Sequence, residues 1–253
     1  DRSAGRSILS APTPFRNSLQ PYAVHPVQQY LIDAADKWPS KIAVIDGDRR
    51  FTFGELNAHS DRLAAALVDM GVRKGDRVGL MAPNCAEFEI AFYGVLKAGA
   101  IVSTLNTGYR EREIAHQLNN SRASILIVHE SLVEMSEAAK PLLDSPPEVV
   151  VIYPDGIDPT SFWARIATAP AQAPDIKFDP MNDIAALPYS SGTTGLSKGV
   201  MLTHHNLTSN VEQFIKRPGE FAEPRPDDVI LVHLPLFHIY GMNVLMNPCI
   251  AIG

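Results

Sequence analysis

From residue 77 the chain alternates two kinds of segment: a short apolar run, then one with helical periodicity. The runs fall at 77–81, 101–104, 125–128 and 149–153, and the helical segments between them at 86–97, 112–119 and 131–143. Strands separated by helices cannot be joined as hairpins. They need crossover connections, which make the sheet largely parallel and cover both of its faces. The fold class expected is therefore α/β, with largely parallel doubly wound sheets and flanking helices. Upstream, 27–38 reads as an amphipathic helix stopped by Pro39. Strands at 41–45 and 49–53 flank the turn Asp46-Gly47-Asp48. A helix at 55–70 carries Leu56, Leu63, Leu67 and Met70 on one face, with Gly71 as its stop.

Composition sets the outer bounds. A 253-residue chain with 45% hydrophobic and 20% charged residues can bury a core, which excludes collagen-like and disordered classes. Three divisions are expected: an extension at 1–25, a first α/β subdomain at 26–180, and the start of a second at 181–253. The extension is polar and broken by Pro12, Pro14 and Pro21, unlike a signal peptide. Pro170, Pro174 and Pro180 mark a linker, and no internal repeat stands out. A net charge of −6 does not draw nucleic acid or anionic lipid. The most apolar window, 229–236, is interrupted by His233 and Pro235, so no membrane insertion is expected. Cys85 and Cys249 cannot make a disulfide framework and read as reduced thiols, which points to a cytoplasmic protein. The chain closes on the apolar stretch 244–253, so the expectation is a chain truncated inside an element. Oligomeric state has no signature.

The segment richest in chemistry is Tyr189-Ser-Ser-Gly-Thr-Thr-Gly-Leu-Ser-Lys198-Gly199. From Ser190 to Lys198 it holds five hydroxyl side chains, two glycines and one lysine. Glycines let backbone amides approach a ligand closely, and successive amides and hydroxyls donate to phosphate oxygens. Lys198 adds a point charge suited to a polyphosphate. Strands are expected on either side, at 184–188 and 200–203. This is not a Walker loop, because the glycine–lysine spacing differs and Gly199 stands where Ser or Thr would hold magnesium. It is not a dinucleotide fingerprint either. A surface turn has the same composition, but the ten-residue string is more specific than its composition.

Through that string the chain resembles the adenylate-forming superfamily of acyl-CoA synthetases, 4-coumarate:CoA ligases, luciferases and adenylation domains. The signature of that family is Ser/Thr-Ser/Thr-Gly-Thr-Thr-Gly-x-Pro-Lys-Gly, matched here from Ser190 to Gly199 with Ser197 in place of proline. Losing proline frees the backbone at that point. The likeness extends to Phe51-Thr-Phe-Gly-Glu-Leu56, Gly75-Asp-Arg-Val78, Pro83-Asn84, 96–106 and Glu113-Ile-Ala-His-Gln-Leu118, stretches read as packing only. The resemblance implies the truncated N-terminal domain of an adenylate-forming enzyme. Its loop residues Ser190, Ser191, Gly192, Thr193, Thr194, Gly195 and Lys198 would hold ATP phosphates.

Leu234-Pro-Leu-Phe-His-Ile-Tyr-Gly241 is similar to the segment that walls the acyl pocket in the coumarate and acyl ligases of that family. His238 there can hydrogen-bond a carboxylate or adenylate oxygen, and Phe237 and Tyr240 supply pocket surface. Amino-acid-activating relatives place an aspartate after the phenylalanine. His238 stands there instead, and a buried substrate ammonium would lack its counter-charge. The acid expected is aryl, arylpropenoic or aliphatic.

The activity implied is ATP-dependent formation of an acyl-adenylate, then of a CoA thioester, with ATP, Mg2+ and CoA as cofactors. Lys198 and His238 would be its catalytic residues. The chain itself would be inactive without the downstream parts of the family. Other readings stay open: loading of a carrier protein, a non-catalytic nucleotide-binding module, or a general NTPase or kinase. No resident metal site is expected, since His204 and His205 are adjacent at a helix start and point apart. His204 and Asn206 read as a structural cap, and Asp227-Asp228 as a turn before a strand at Val229. Ser190 and Ser191 lack the G-x-S-x-G surroundings of a nucleophile.

Overall fold

Helix α1 (Gln29–Lys37) leads into the antiparallel hairpin of β1 (Ile42–Asp46) and β2 (Arg49–Thr52), which turns at Gly47 with φ 58°. The computed structural model describes residues 21–153, 158, 160–190, 196–216 and 228–253. Helix α2 (Phe53–Asp69) starts earlier than its apolar periodicity indicates. Thr52 and Glu55 form a reciprocal capping box, which satisfies two otherwise unpaired backbone N–H groups.

The expected alternation follows: β3 (Arg77–Met81), α3 (Ala86–Lys97), β4 (Ile101–Thr104), α4 (Glu111–Ser121), β5 (Ile125–His129), α5 (Val133–Ala139) and β6 (Glu148–Ile152). The helix expected at 131–143 is α5 with a 3₁₀ turn at each end; Pro141, without an N–H, lies in the second. Helix α6 (Phe162–Thr168), started by the Ser161 side chain, has no counterpart in the sequence reading, because seven residues carry too little periodicity. Then come β7 (Ile184–Ala186), β8 (Tyr189–Ser190), β9 (Lys198–Gly199), β10 (Leu202–Thr203) and α7 (His204–Ile215). A π-helical turn at Gly241–Met246 runs into α8 (Asn247–Ile252).

Six strands form the central sheet in the order β10-β7-β4-β3-β5-β6. Every pairing is parallel except that of β10 with β7. One sheet thus runs across the segment expected as a linker. Along the strands, side chains alternate between two apolar clusters. Val78, Leu80, Ile125 and Ile127 join one; Met81, Leu126 and Val128 join the other. Both faces are covered. Helix α3 is buried nearly all round, wedged between the sheet and α2. At Gly94 a Cβ would lie 2.7 Å from Leu63 Cδ2, so glycine sets how closely the two helices approach.

Two expectations near the end of the chain are corrected. Of the strand expected at 200–203 only 202–203 pairs in the sheet, with β7, while 198–199 forms a separate short strand against β8. Residues 228–234 pair with no strand among the described residues, and Val229 and Leu231 are 77% and 81% exposed. An apolar run becomes a strand only where a sheet edge receives it.

Candidate functional site

The hydroxyl-rich loop is built on the carboxyl edge of the sheet, where α/β folds hold their ligands. Leu187 N–H donates to Val102 O at 2.8 Å, fixing the chain just past β7 to β4. The chain then turns out into the hairpin of β8 and β9, pairing Tyr189 with Gly199 and Ser190 with Lys198. Val200 N–H donating to Pro188 O at 2.8 Å closes its base. Gly199 lets the chain pack closely there, since a Cβ would come within 3.1 Å of Leu187 Cδ1. Ser190 and Lys198 therefore face each other across the mouth of the hairpin, both exposed. Ser191, Gly192, Thr193, Thr194 and Gly195 lie outside the described residues.

Beside the hairpin is a cleft of about 440 Å³ lined by His116, Asn120, Leu196, Ser197, Lys198 and Gly199. Two of its walls come from α4. His116 Nε2 is 2.8 Å from Ser197 O, and Tyr189 Oη donates to Asn120 Oδ1 at 2.6 Å. The His116 and Tyr189 rings meet edge to face at 6.4 Å. Burial pushes the Tyr189 phenol above its ordinary range, keeping it protonated as a donor.

His238 sits in a separate part of the same edge. Asn84, after β3, donates to Val232 O at 3.1 Å and Leu234 O at 2.9 Å, and its Oδ1 accepts from Leu236 N at 2.8 Å. Thr104, the last residue of β4, donates to Phe237 O at 2.7 Å. This clamp presents His238 and Tyr240 outward, Tyr240 being 50% exposed. Tyr240 N–H donates to His238 Nδ1 at 3.2 Å, so the neutral ring carries its hydrogen on Nε2. Gly241 allows the sharp turn that follows, since a Cβ would lie 2.2 Å from Pro235 O. Asn243 donates to Leu207 O and Asn210 Oδ1, anchoring the π-helical turn to α7. His238 and Tyr240 are not among the walls of the 440 Å³ cleft.

His204 belongs to the core. It is 2% exposed and accepts from Val27 N–H at 3.1 Å, and burial lowers its imidazole to about 4. Thr203 and Asn206 form the capping box of α7. Among the described residues no three His, Cys, Asp or Glu side chains gather as a metal-ligand set.

In the sequence, Asn84, Thr104 and His116 fall in stretches read as packing only, and Asn120 is not singled out. The site-shaping role of these residues is not legible locally: His116 reaches Ser197 across 81 positions, and Asn84 reaches Leu234 across 150.

Comparison with known proteins covers nearly the whole chain. Residues 31–253 match the family described as AMP-binding enzyme. A 4-coumarate–CoA ligase of Pinus taeda is 37% identical over 232 residues, 90% of this chain and 42% of the relative. A long-chain-fatty-acid–CoA ligase of Bacillus subtilis (strain 168) is 33% identical over 254 residues, 90% of this chain and 45% of the relative. The solved anthranilate CoA ligase AuaEII, in complex with anthranoyl-AMP, superposes with a TM-score of 0.81 at 27% identity. That match covers 90% of this chain and 44% of the other. The chain thus spans less than half the length of these relatives.

Proposed function

Because this chain belongs to the AMP-binding enzyme family, we propose that the protein carrying it activates a carboxylic acid with ATP and transfers the acyl group to the thiol of CoA. The carboxylate oxygen attacks the α-phosphorus, the bond to the β-phosphate breaks, and pyrophosphate leaves. The thiol then displaces AMP and forms the thioester. Carboxylate and triphosphate repel each other, so the site must offset negative charge as it develops on the leaving group.

The observation that carries this reading is the pairing of Ser190 with Lys198 across a hairpin on the carboxyl edge of the sheet. An exposed ammonium and an exposed hydroxyl beside a cleft of about 440 Å³ fit an anionic polyphosphate. Ser190, Ser191, Gly192, Thr193, Thr194, Gly195 and Lys198 would hold the β- and γ-phosphates. Magnesium, which neutralises phosphate charge when bound, would be held chiefly by those phosphates. His238 Nε2–H would donate to an oxygen of the acid or adenylate, beside Tyr240. No carboxylate follows Phe237, which favours aryl, arylpropenoic or aliphatic acids over amino acids. The free thiols of Cys85 and Cys249 support a cytoplasmic setting.

Acid-dependent exchange of labelled pyrophosphate into ATP, across a panel of such acids, tests the reading. Exchange with aryl or aliphatic acids and none with amino acids is expected. Acid-independent release of orthophosphate would overturn it.

A further inference from the structure

We propose that His116 is a positioning residue for the phosphate hairpin, bracing Ser197 at the entrance to β9 from α4 while Asn120, one helical turn on, braces β8 through Tyr189. The proposal rests on the nucleotide reading above and deepens it.

The geometry is a two-point hold. A carbonyl only accepts, so His116 Nε2 must carry the hydrogen in its 2.8 Å bond to Ser197 O. Asn120, at i+4 on the same helix face, accepts from Tyr189 Oη at 2.6 Å. Helix α4 thereby grips β8 and the residue that leads into β9. The helix is itself fixed: the buried Gln117, between the two, donates to Ser103 Oγ and Thr104 O, both at 3.0 Å. A continuous path of hydrogen bonds therefore runs from β4 through α4 to the residue directly before Lys198. At that residue the chain has Ser197 where the adenylate-forming signature has proline. A proline ring would restrain the backbone from within; the His116 bond restrains it from outside. Without it, Ser197 is free to sample more conformations, and Lys198 with it. The His116 ring also packs against Tyr189, so both limbs loosen when it is removed.

The experiment compares the chain with its His116→Ala, His116→Gln and His116→Ala/Ser197→Pro variants. The measurements are amide hydrogen exchange at Lys198, Gly199 and Val200, affinity for MgATP by calorimetry, and the urea midpoint. His116→Ala should speed exchange at those amides about tenfold and weaken MgATP about fivefold, with the midpoint unmoved. His116→Gln, which keeps an N–H donor, and the added proline should each restore both quantities. A role in general packing would instead lower the midpoint, and proline would restore nothing; that result overturns the proposal. So does unchanged exchange in His116→Ala. Should His116→Ala not fold, His116→Gln decides: wild-type exchange supports the brace, and fast exchange defeats it. Failure of the longer protein that carries this chain to bind MgATP would sink the functional reading; failure of the chain alone leaves the exchange measurement to judge the brace.

Discussion

At the scale of single residues, the chain separates histidines by environment rather than by motif. His204 is neutral because water is excluded from it, and its unprotonated Nδ1 is the acceptor for Val27 N–H. Its imidazole lies at about 4 in the fold against 6.5 ordinarily. The unfolded chain therefore takes up the proton first as pH falls, and stability present above 6.5 is lost on the way to 4. The shift corresponds to about 3 kcal/mol. His204→Asn keeps an acceptor without the titration. Wild type should lose stability relative to it as the pH is lowered through that window, measured by urea unfolding at each pH. Lys198 is the opposite case, exposed and without structural duty apart from its backbone. In the longer protein that carries this chain, Lys198→Ala should slow the proposed pyrophosphate formation about 100-fold while leaving the urea midpoint in place. The sequence displays Lys198 and Ser190 openly, since their string is contiguous. It hides His116 and Asn84, whose partners lie far along the chain.

At the scale of elements, legibility follows length and burial. The strands β3 to β6 are apolar runs with alternating outlets into two clusters, and their helices carry full turns of periodicity. Helix α6 is too short for that signal. The exposed Val229 and Leu231 mimic a strand because composition reports apolarity, not the presence of a neighbouring edge. Helix propensity is equally blind to close approach. Gly94→Ala gains about 1 kcal/mol in propensity, yet its Cβ would press on Leu63 at 2.7 and 3.0 Å. Overpacking of this kind costs about 1–3 kcal/mol. The substitution should lower stability in urea, and adding Leu63→Ala should recover part of the overpacking loss.

At the scale of the molecule, one largely parallel sheet gathers the Asn84 clamp, Thr104 and the hydroxyl-rich hairpin on a single rim. The parts joined there come from residues 84 to 240, so the nucleotide binding proposed for the rim would be linked to the folding of the whole chain. Saturation with MgATP at one hundred times its dissociation constant should add about 2.7 kcal/mol to unfolding, and Lys198→Ala should shrink that increment at the same nucleotide concentration. Thermal shift or urea titration reads it directly.

The reversed direction of β10 has an electrostatic consequence. In many phosphate-binding loops the chain passes straight into a helix whose positive pole points at the anion. Here β10 carries the chain back along β7, pairing Thr203 with Ile184 at the far rim before α7 begins. The first amides of that helix are spent on Asp183 O and Pro180 O. No dipole from α7 can therefore share the burden of the triphosphate proposed here, and its countercharge would fall to the Lys198 ammonium and to metal ions that travel with the nucleotide.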